Sequence, residues 1–164
     1  MTHFAVWGEY WLNYVATKFK PSDSDENTSL AENLTFLALA LEGTEIGDRL
    51  MVAADDMFEN VVIAYHLNDL FKGGVWGEGA SYGPGTNGHW AMNFIINNEV
   101  RNKQYDFDPE EYIHDTILAY NYQILPGYTA TWKNGDTENA EDYFNGPIPK
   151  RLQQSMSVFS AATS

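Results

Sequence analysis

The chain has 164 residues, of which 44% are hydrophobic, and it contains no cysteine. This length suffices for one domain with a buried core, and the lack of cysteine excludes disulfides, thiolate metal sites and cysteine nucleophiles. The formal net charge is −14, with nine Lys and Arg residues in all. Because a phosphate backbone is bound by clustered basic side chains, we expect no direct binding to nucleic acid.

The sequence shows no segment typical of export or of membrane insertion. The first 15 residues include Glu9 and lack the basic start and small-residue cleavage site of a signal peptide. No apolar run approaches the roughly 20 residues that a membrane-spanning helix needs. We therefore expect no membrane partner, and a location in a virion or in the cytoplasm.

Negative charge is concentrated in one part of the chain. Residues 21–60 carry ten Asp and Glu residues against the single basic residue Arg49, a balance of −9. Such a block is typical of a solvated surface that keeps a protein soluble. A second interpretation is that its carboxylates imitate DNA phosphates, so that the protein is an acidic DNA-mimic inhibitor of a nucleic-acid enzyme. The sequence leaves open whether this block binds a basic partner.

Hydrophobic periodicity predicts a mainly α fold, with about five helices in a small bundle. The first helix is predicted over residues 3–19, and Ser29 with Glu32 forms a capping box that starts the second, which ends at Gly43. The first predicted helix should bury one stripe of side chains: Phe4, Trp7, Trp11 and Tyr14 or Val15.

A long third helix is predicted over residues 45–71, a fourth over 90–102, and a fifth from Asp108, with Pro109 in its first turn. The stripe of the third helix follows α-helical spacing: Leu50, Ala54, Met57, Val61 and Tyr65.

A glycine-rich stretch from Lys72 to His89 separates the third and fourth predicted helices. It holds seven of the 13 glycines, and clustered glycines disfavour helix, so we predict a long irregular loop. No phosphate-binding glycine motif occurs in it. The sequence leaves open whether this loop forms a pocket or an interface with a partner.

Residues 1–127 are predicted to form the helical domain, and residues 128–164 a mostly irregular C-terminal arm. Pro147 and Pro149 keep part of this arm extended, and large apolar residues are few near its end. Arms of this kind become ordered when they dock on another surface. We therefore expect the arm to reach neighbouring subunits.

The four histidines form no recognised metal motif. Glu111 and His114 make a single Glu-x-x-His pair, whereas di-iron helical bundles use two such pairs and two further Glu residues. No His-Glu-x-x-His is present. We therefore expect no metal and no cofactor.

Glu78 is the only carboxylate of the glycine-rich stretch, and Trp76 and Tyr82 are its aromatic neighbours in sequence. A carboxyl group beside aromatic rings can serve as a general acid, and a glycosidase needs a second acid nearby. Residues 117–121 (ILAYN) resemble the Ala-Tyr-Asn stretch of lytic transglycosylases, although the Glu-Ser catalytic pair of that family is missing. One alternative function is therefore a peptidoglycan-cleaving glycoside enzyme that uses Glu78.

The main prediction is a structural role without catalytic residues. The chain has 9 Phe, 10 Tyr and 5 Trp, and aromatic residues are enriched at subunit interfaces. We predict an assembly subunit of a larger homo-oligomeric complex, in the setting of a phage virion, as a head, neck or tail component. Its partners would be copies of itself and neighbouring assembly proteins. The candidate interface residues are Trp76, Glu78, Tyr82, Trp90, Tyr128, Trp132, Tyr143, Phe144 and Phe159.

Overall fold

A computed structural model describes residues 3–22, 24–79 and 82–123, together with Gly135 and Ser157. Every element in this part of the chain is helical, which confirms the mainly α prediction. Nearly all of the predicted arm, residues 128–164, lies outside the described residues. The elements in chain order are α1 (His3–Thr17), α2 (Glu26–Ala40), α3 (Glu45–Asp56), the π-helix π1 (Met57–Leu70), α4 (Gly83–Arg101) and α5 (Pro109–Tyr122).

Helix α2 lies at the centre of the described fold, where it contacts α1, α3, π1 and α4. Its inner face carries small side chains, Ala31 and Ala38, and these allow neighbouring helices to approach closely. Each large buried side chain contributes about 1.5–3 kcal/mol to folding through the loss of apolar surface to water. The large side chains of this core are Leu34, Leu50, Met57, Phe58, Leu67 and Trp90.

π1 continues directly from α3 but winds more widely. In a π-helix each N–H donates to the carbonyl five residues earlier, and Phe71 N–H bonds His66 O in this way at 2.8 Å. The predicted stripe assumed α-helical spacing and placed Tyr65 in the core, whereas Tyr65 is only half-buried and His66 is fully buried. Buried side chains recur instead every four or five residues, at Phe58, Val62, Leu67 and Phe71.

α1 buries only part of the predicted stripe, because Trp11 and Val15 pack against the core and Phe4 and Trp7 do not. Gly8 packs against α3, where an added Cβ atom would lie 2.9 Å from Ile46 Cδ1, so the missing side chain allows a close approach. This contact turns Gly8, Leu12 and Val15 toward the core. Phe4 and Trp7 are consequently 59% and 63% exposed, and the prediction that they are buried is wrong.

α4 begins at Gly83 rather than near Trp90, so the predicted irregular loop over residues 72–89 is wrong in its second half. The described residues of the remaining loop are 71–79 and 82. Pro84 occupies the first turn, where its missing N–H is not needed. Gly83 is held against α5, because an added Cβ atom would lie 2.1 Å from Tyr120 Oη. This tertiary contact outweighs the low helix propensity of glycine.

Candidate functional site

Glu78 fixes the glycine-rich loop to the start of α2. Its Oε2 atom accepts a hydrogen bond from the backbone N–H of Asp25 at 2.7 Å and another from Trp76 Nε1 at 2.8 Å. Asp25 is the N-cap residue of α2, yet its own side chain makes no capping hydrogen bond. Glu78 therefore supplies the carboxylate that complements the positive end of the helix. With this long-range contact, α2 begins at Glu26. The predicted capping box placed the start of the helix later, at Ser29.

We expect Glu78→Ala to lower the free energy of unfolding by about 1–3 kcal/mol, because two N–H donors lose this acceptor inside the fold. Urea denaturation followed by circular dichroism measures the change. Glu42→Ala is the matched control, since Glu42 is exposed in the turn after α2. Equal losses in the two variants would contradict the structural role of Glu78.

Aromatic side chains anchor the glycine-rich loop through Trp76. Trp76 is 2% exposed, and its ring centroid lies 4.1 Å from that of Phe71 and 5.3 Å from that of His66. The Nε2 atom of His66 lies 2.7 Å from the carbonyl oxygen of Ser22, so Nε2 donates the hydrogen. The loop is thus anchored on π1 and on the segment that precedes α2.

Asp25 is a second acid close to Glu78. Burial raises the pKa of the Asp25 carboxyl group, and the negative charges of Glu78 and Glu26 raise it further, while His89 acts in the opposite direction. A group with a raised pKa retains its proton more readily. The structure therefore places the Glu78 carboxylate against the backbone of Asp25, 53 residues away in sequence.

A pocket of about 300 Å³ opens beside Asp25. Aromatic side chains from α1 and the segment after it form one wall, and the first turns of α2 form the other. Glu78 is not part of the lining, so the two acids do not face each other across this pocket. The main lining residues are Trp11, Tyr14, Phe19, Asp25, Asn27 and Leu30.

His89 connects α4 to α2. Its Nδ1 atom donates to Glu32 Oε2 at 2.6 Å. This hydrogen bond raises the pKa of His89; burial works against the rise, and the charges of Glu32 and Asp25 add to it. The protonated imidazolium is thus the form that the contact favours.

The His89–Glu32 contact predicts that stability falls as the pH rises above about 6.5. The folded state binds this proton more tightly than the unfolded state, so the contribution is complete below the unfolded pKa and is lost as the pH passes the higher folded pKa. The raised pKa of Asp25 also makes stability fall as the pH rises, but in a lower pH range. Urea denaturation between about pH 6 and pH 9 should show the fall. His89→Gln should flatten this dependence, and an unchanged slope in that variant would contradict it.

Part of the acidic block over residues 21–60 is neutralised within the fold. The Asp55 carboxylate contacts Arg101 Nη2 and Lys103 Nζ, each at 2.9 Å, and Lys103 also contacts Glu59. Burial opposes the ionised form of Asp55, but hydrogen bonds from Arg101 and Lys103 outweigh it and lower its pKa. These contacts connect α3 and π1 to the end of α4. Binding of the block to a basic partner stays a prediction.

One face of α1 is both apolar and exposed. Phe4, Trp7 and Tyr10 follow one another at intervals of three residues, and Val6 lies four residues before Tyr10, so these pairs lie on neighbouring turns. The ring of Trp11 makes edge-to-face contacts with those of Tyr10 and Tyr14, at 5.3 and 5.6 Å, which extends the apolar surface toward the 300 Å³ pocket. We call this surface the α1 aromatic face and define it as Phe4 (59% exposed), Val6 (52%), Trp7 (63%) and Tyr10 (61%).

The α1 aromatic face carries little charge. Glu9 is the only Asp, Glu, Lys or Arg residue in α1, and it contacts Arg49 of α3 at 2.8 Å. Every other described helix carries at least two such residues. α1 therefore adds little like-charge repulsion to a contact between two copies of this strongly acidic chain.

The predicted interface residues occupy different environments. Trp76 and Trp90 lie in the interior, and Trp90 Nε1 donates to Asn87 Oδ1 at 2.9 Å. Tyr82 is 38% exposed, and Glu78 is half-buried. An interface role for the predicted set stays a prediction. Five of its members lie outside the described residues: Tyr128, Trp132, Tyr143, Phe144 and Phe159.

Two further findings concern the described ranges alone. They contain no group of three or more His, Asp and Glu side chains arranged to hold a metal ion, and both Glu111 and His114 are exposed. None of their helices combines the length and the apolar character that crossing a bilayer requires.

No protein-family model, curated protein or solved structure matches this chain. A functional assignment must therefore start from the surfaces and contacts described above.

Proposed function

We propose that the protein is a structural subunit that associates with copies of itself through the α1 aromatic face. The observation that supports this most directly is the 52–63% exposure of four apolar side chains on a single helix. Soluble monomers rarely expose large contiguous apolar patches, and such patches mark interaction sites. Trp and Tyr are also the residue types that most often dominate binding energy at protein interfaces.

The low charge of α1 allows a second copy of the chain to be the partner. Two copies with a net charge of −14 repel each other over most of their surfaces. Contact through α1 would keep the acidic surfaces apart, because the single carboxylate of this helix, Glu9, is already paired with Arg49. A two-fold contact would set the same face of each copy against the other and bury both.

The narrower setting that we propose for this assembly is a phage virion, with the subunit in the head, neck or tail. The composition of the chain supports this setting, because the chain is cysteine-free, Tyr-rich and acidic. Self-association through the α1 aromatic face can be tested independently of the virion setting.

Sedimentation velocity of the full chain over a range from about 1 to 100 μM tests self-association, since micromolar affinity corresponds to about 8 kcal/mol. We expect the sedimentation coefficient to rise with concentration. Added salt should strengthen the association, because it screens repulsion between acidic surfaces while leaving the apolar contact intact. Sedimentation as a monomer at every concentration would contradict the proposal.

A second candidate is a peptidoglycan-cleaving glycoside enzyme, which the approach of Asp25 to Glu78 favours. Glu78 would be the catalytic carboxylate, and Asp25, which lines the 300 Å³ pocket, would be the second acid that it requires. A turbidity assay on peptidoglycan compares the native chain with Asp25→Asn and Glu78→Gln. Clearing by the native chain alone would support this function, and no clearing by the native chain would eliminate it.

A further inference from the structure

A groove lies between the end of α4 and the start of α5. Its volume is about 660 Å³, within the range of about 300–1,000 Å³ that ligand sites occupy. The half-buried rings of Phe94, Tyr105 and Phe107 form its wall, with the Phe94 centroid 5.7 Å from that of Tyr105 and 6.2 Å from that of Phe107. We call this cavity the α4–α5 groove.

Carboxylates surround the α4–α5 groove. Glu99, Asp106, Asp108 and Glu110 are exposed members of its lining. Among the described residues, none of these four carboxylates forms an ion pair, and none of the lining residues is Lys, Arg or His. The groove therefore combines an aromatic wall with a rim of negative charge that the described part of the chain leaves uncompensated.

The basic residues nearest to the groove in sequence are already engaged within the fold. Lys103 Nζ lies over the ring of Tyr105, 5.3 Å from its centroid. Arg101 and Lys103 form their ion pairs with Asp55 and Glu59. The positive end of α5 is likewise complemented from within, because Asp108 Oδ1 accepts the backbone N–H groups of Glu110 and of the following residue, at 3.0 and 3.1 Å. A ligand that complements the rim must therefore bring its own positive charge.

We propose that the α4–α5 groove binds an arginine side chain of a partner polypeptide. The guanidinium group is planar, so it can stack on the aromatic wall while its N–H donors reach the carboxylates. A lysine ammonium is compact and strongly hydrated, and it lacks the flat surface that stacking requires. An uncharged apolar ligand would partly desolvate the rim carboxylates without pairing them.

This inference is independent of the proposed self-association. The lining of the groove comes from π1, α4, α5 and the segment that joins the last two, and it includes no residue of α1. A monomeric chain could bind arginine here, and an assembling chain could fail to bind it. Each proposal can therefore be contradicted by its own experiment without affecting the other.

The probe is an acetylated, amidated Gly-Gly-Arg-Gly-Gly peptide, titrated into the ¹⁵N-labelled full chain and followed by NMR. We expect chemical-shift changes centred on Asn98, Glu99, Asp106 and Phe107. A peptide with citrulline in place of arginine keeps the planar shape without the charge. It should bind at least about fivefold more weakly, as expected from the loss of two exposed ion pairs.

The double variant Asp106→Asn, Glu110→Gln should weaken binding of the arginine peptide about fivefold. Both residues are exposed, so the fold should be retained. The control Glu42→Gln, Glu45→Gln removes the same charge from an exposed site elsewhere and should leave the affinity unchanged. Equal binding of the citrulline peptide, equal weakening in both double variants, or no shift changes with the arginine peptide would each overturn the proposal.

Discussion

Gly74→Ala is expected to lower the free energy of unfolding by about 3–5 kcal/mol. Gly74 has a φ of +84°, a backbone conformation that side-chain-bearing residues rarely adopt. Its added Cβ atom would also lie 2.3 Å from the backbone nitrogen of Thr116 and 2.4 Å from its Cα atom. Because these are backbone atoms of α5, the clash cannot be relieved by a side-chain rotation. Urea denaturation measures the loss.

Gly73→Ala provides a control that differs in one respect. Gly73 also has a positive φ, +91°, but no atom lies within 4 Å of its added Cβ position. Its substitution should cost only the conformational strain, about 1–2 kcal/mol. The difference between the two variants isolates the contact of the loop with α5. Equal losses would mean that Gly74 does not lie against Thr116 in solution.

Trp7→Glu is expected to weaken self-association at least thirtyfold, since a central Trp at an interface typically contributes about 2 kcal/mol or more. The variant replaces an indole of the α1 aromatic face with a carboxylate, which adds repulsion between acidic copies. Trp7 is 63% exposed in the described chain, so the stability of the subunit should change by about 0.5 kcal/mol or less. Sedimentation equilibrium gives the association constants.

Val52→Glu is the matched control for this prediction. Val52 is 71% exposed on α3 and lies outside the α1 aromatic face, so the control adds the same charge to another exposed apolar position. Its association constant should fall only through the added net charge. If Val52→Glu and Trp7→Glu weaken association equally, general repulsion explains the effect and the α1 aromatic face is not the interface.

Local sequence signals predicted several parts of this fold. Asp108 and Pro109 marked the start of α5, and Asp108 does accept two backbone N–H groups there. Gly43 was predicted to follow the last residue of α2 directly; it lies in the turn after the helix, which ends at Ala40, and it has a φ of +78°. These signals work because each depends on contacts within a few residues of the chain.

Other features depend on contacts between distant segments, which no local pattern contains. The start of α4 depends on Gly83 against Tyr120, and the orientation of α1 depends on Gly8 against Ile46. The spacing of buried residues in π1 changed because its turns are wider than those of an α-helix.

The candidate sites were only partly predictable from sequence. Glu78 was identified as the only carboxylate of its stretch, but its partner Asp25 lies 53 residues away and could not be identified. The α1 aromatic face did leave a signal. Residues 3–17 contain more large apolar side chains than one buried stripe can hold, so some had to be exposed. Periodicity alone could not decide which ones, because that choice depends on how Gly8 packs against α3.

Site-specific disulfide trapping is the most direct test of self-association through the α1 aromatic face. The native chain contains no cysteine, so a single cysteine introduced by Val6→Cys can form a disulfide only with that of a second copy. Cross-linking requires the two Cα atoms to approach within about 7 Å, which contact between α1 aromatic faces would permit. Under mild oxidation we predict covalent dimers of Val6→Cys at concentrations where Val52→Cys remains monomeric. Dimers that form no faster with Val6→Cys than with Val52→Cys would contradict self-association through this face.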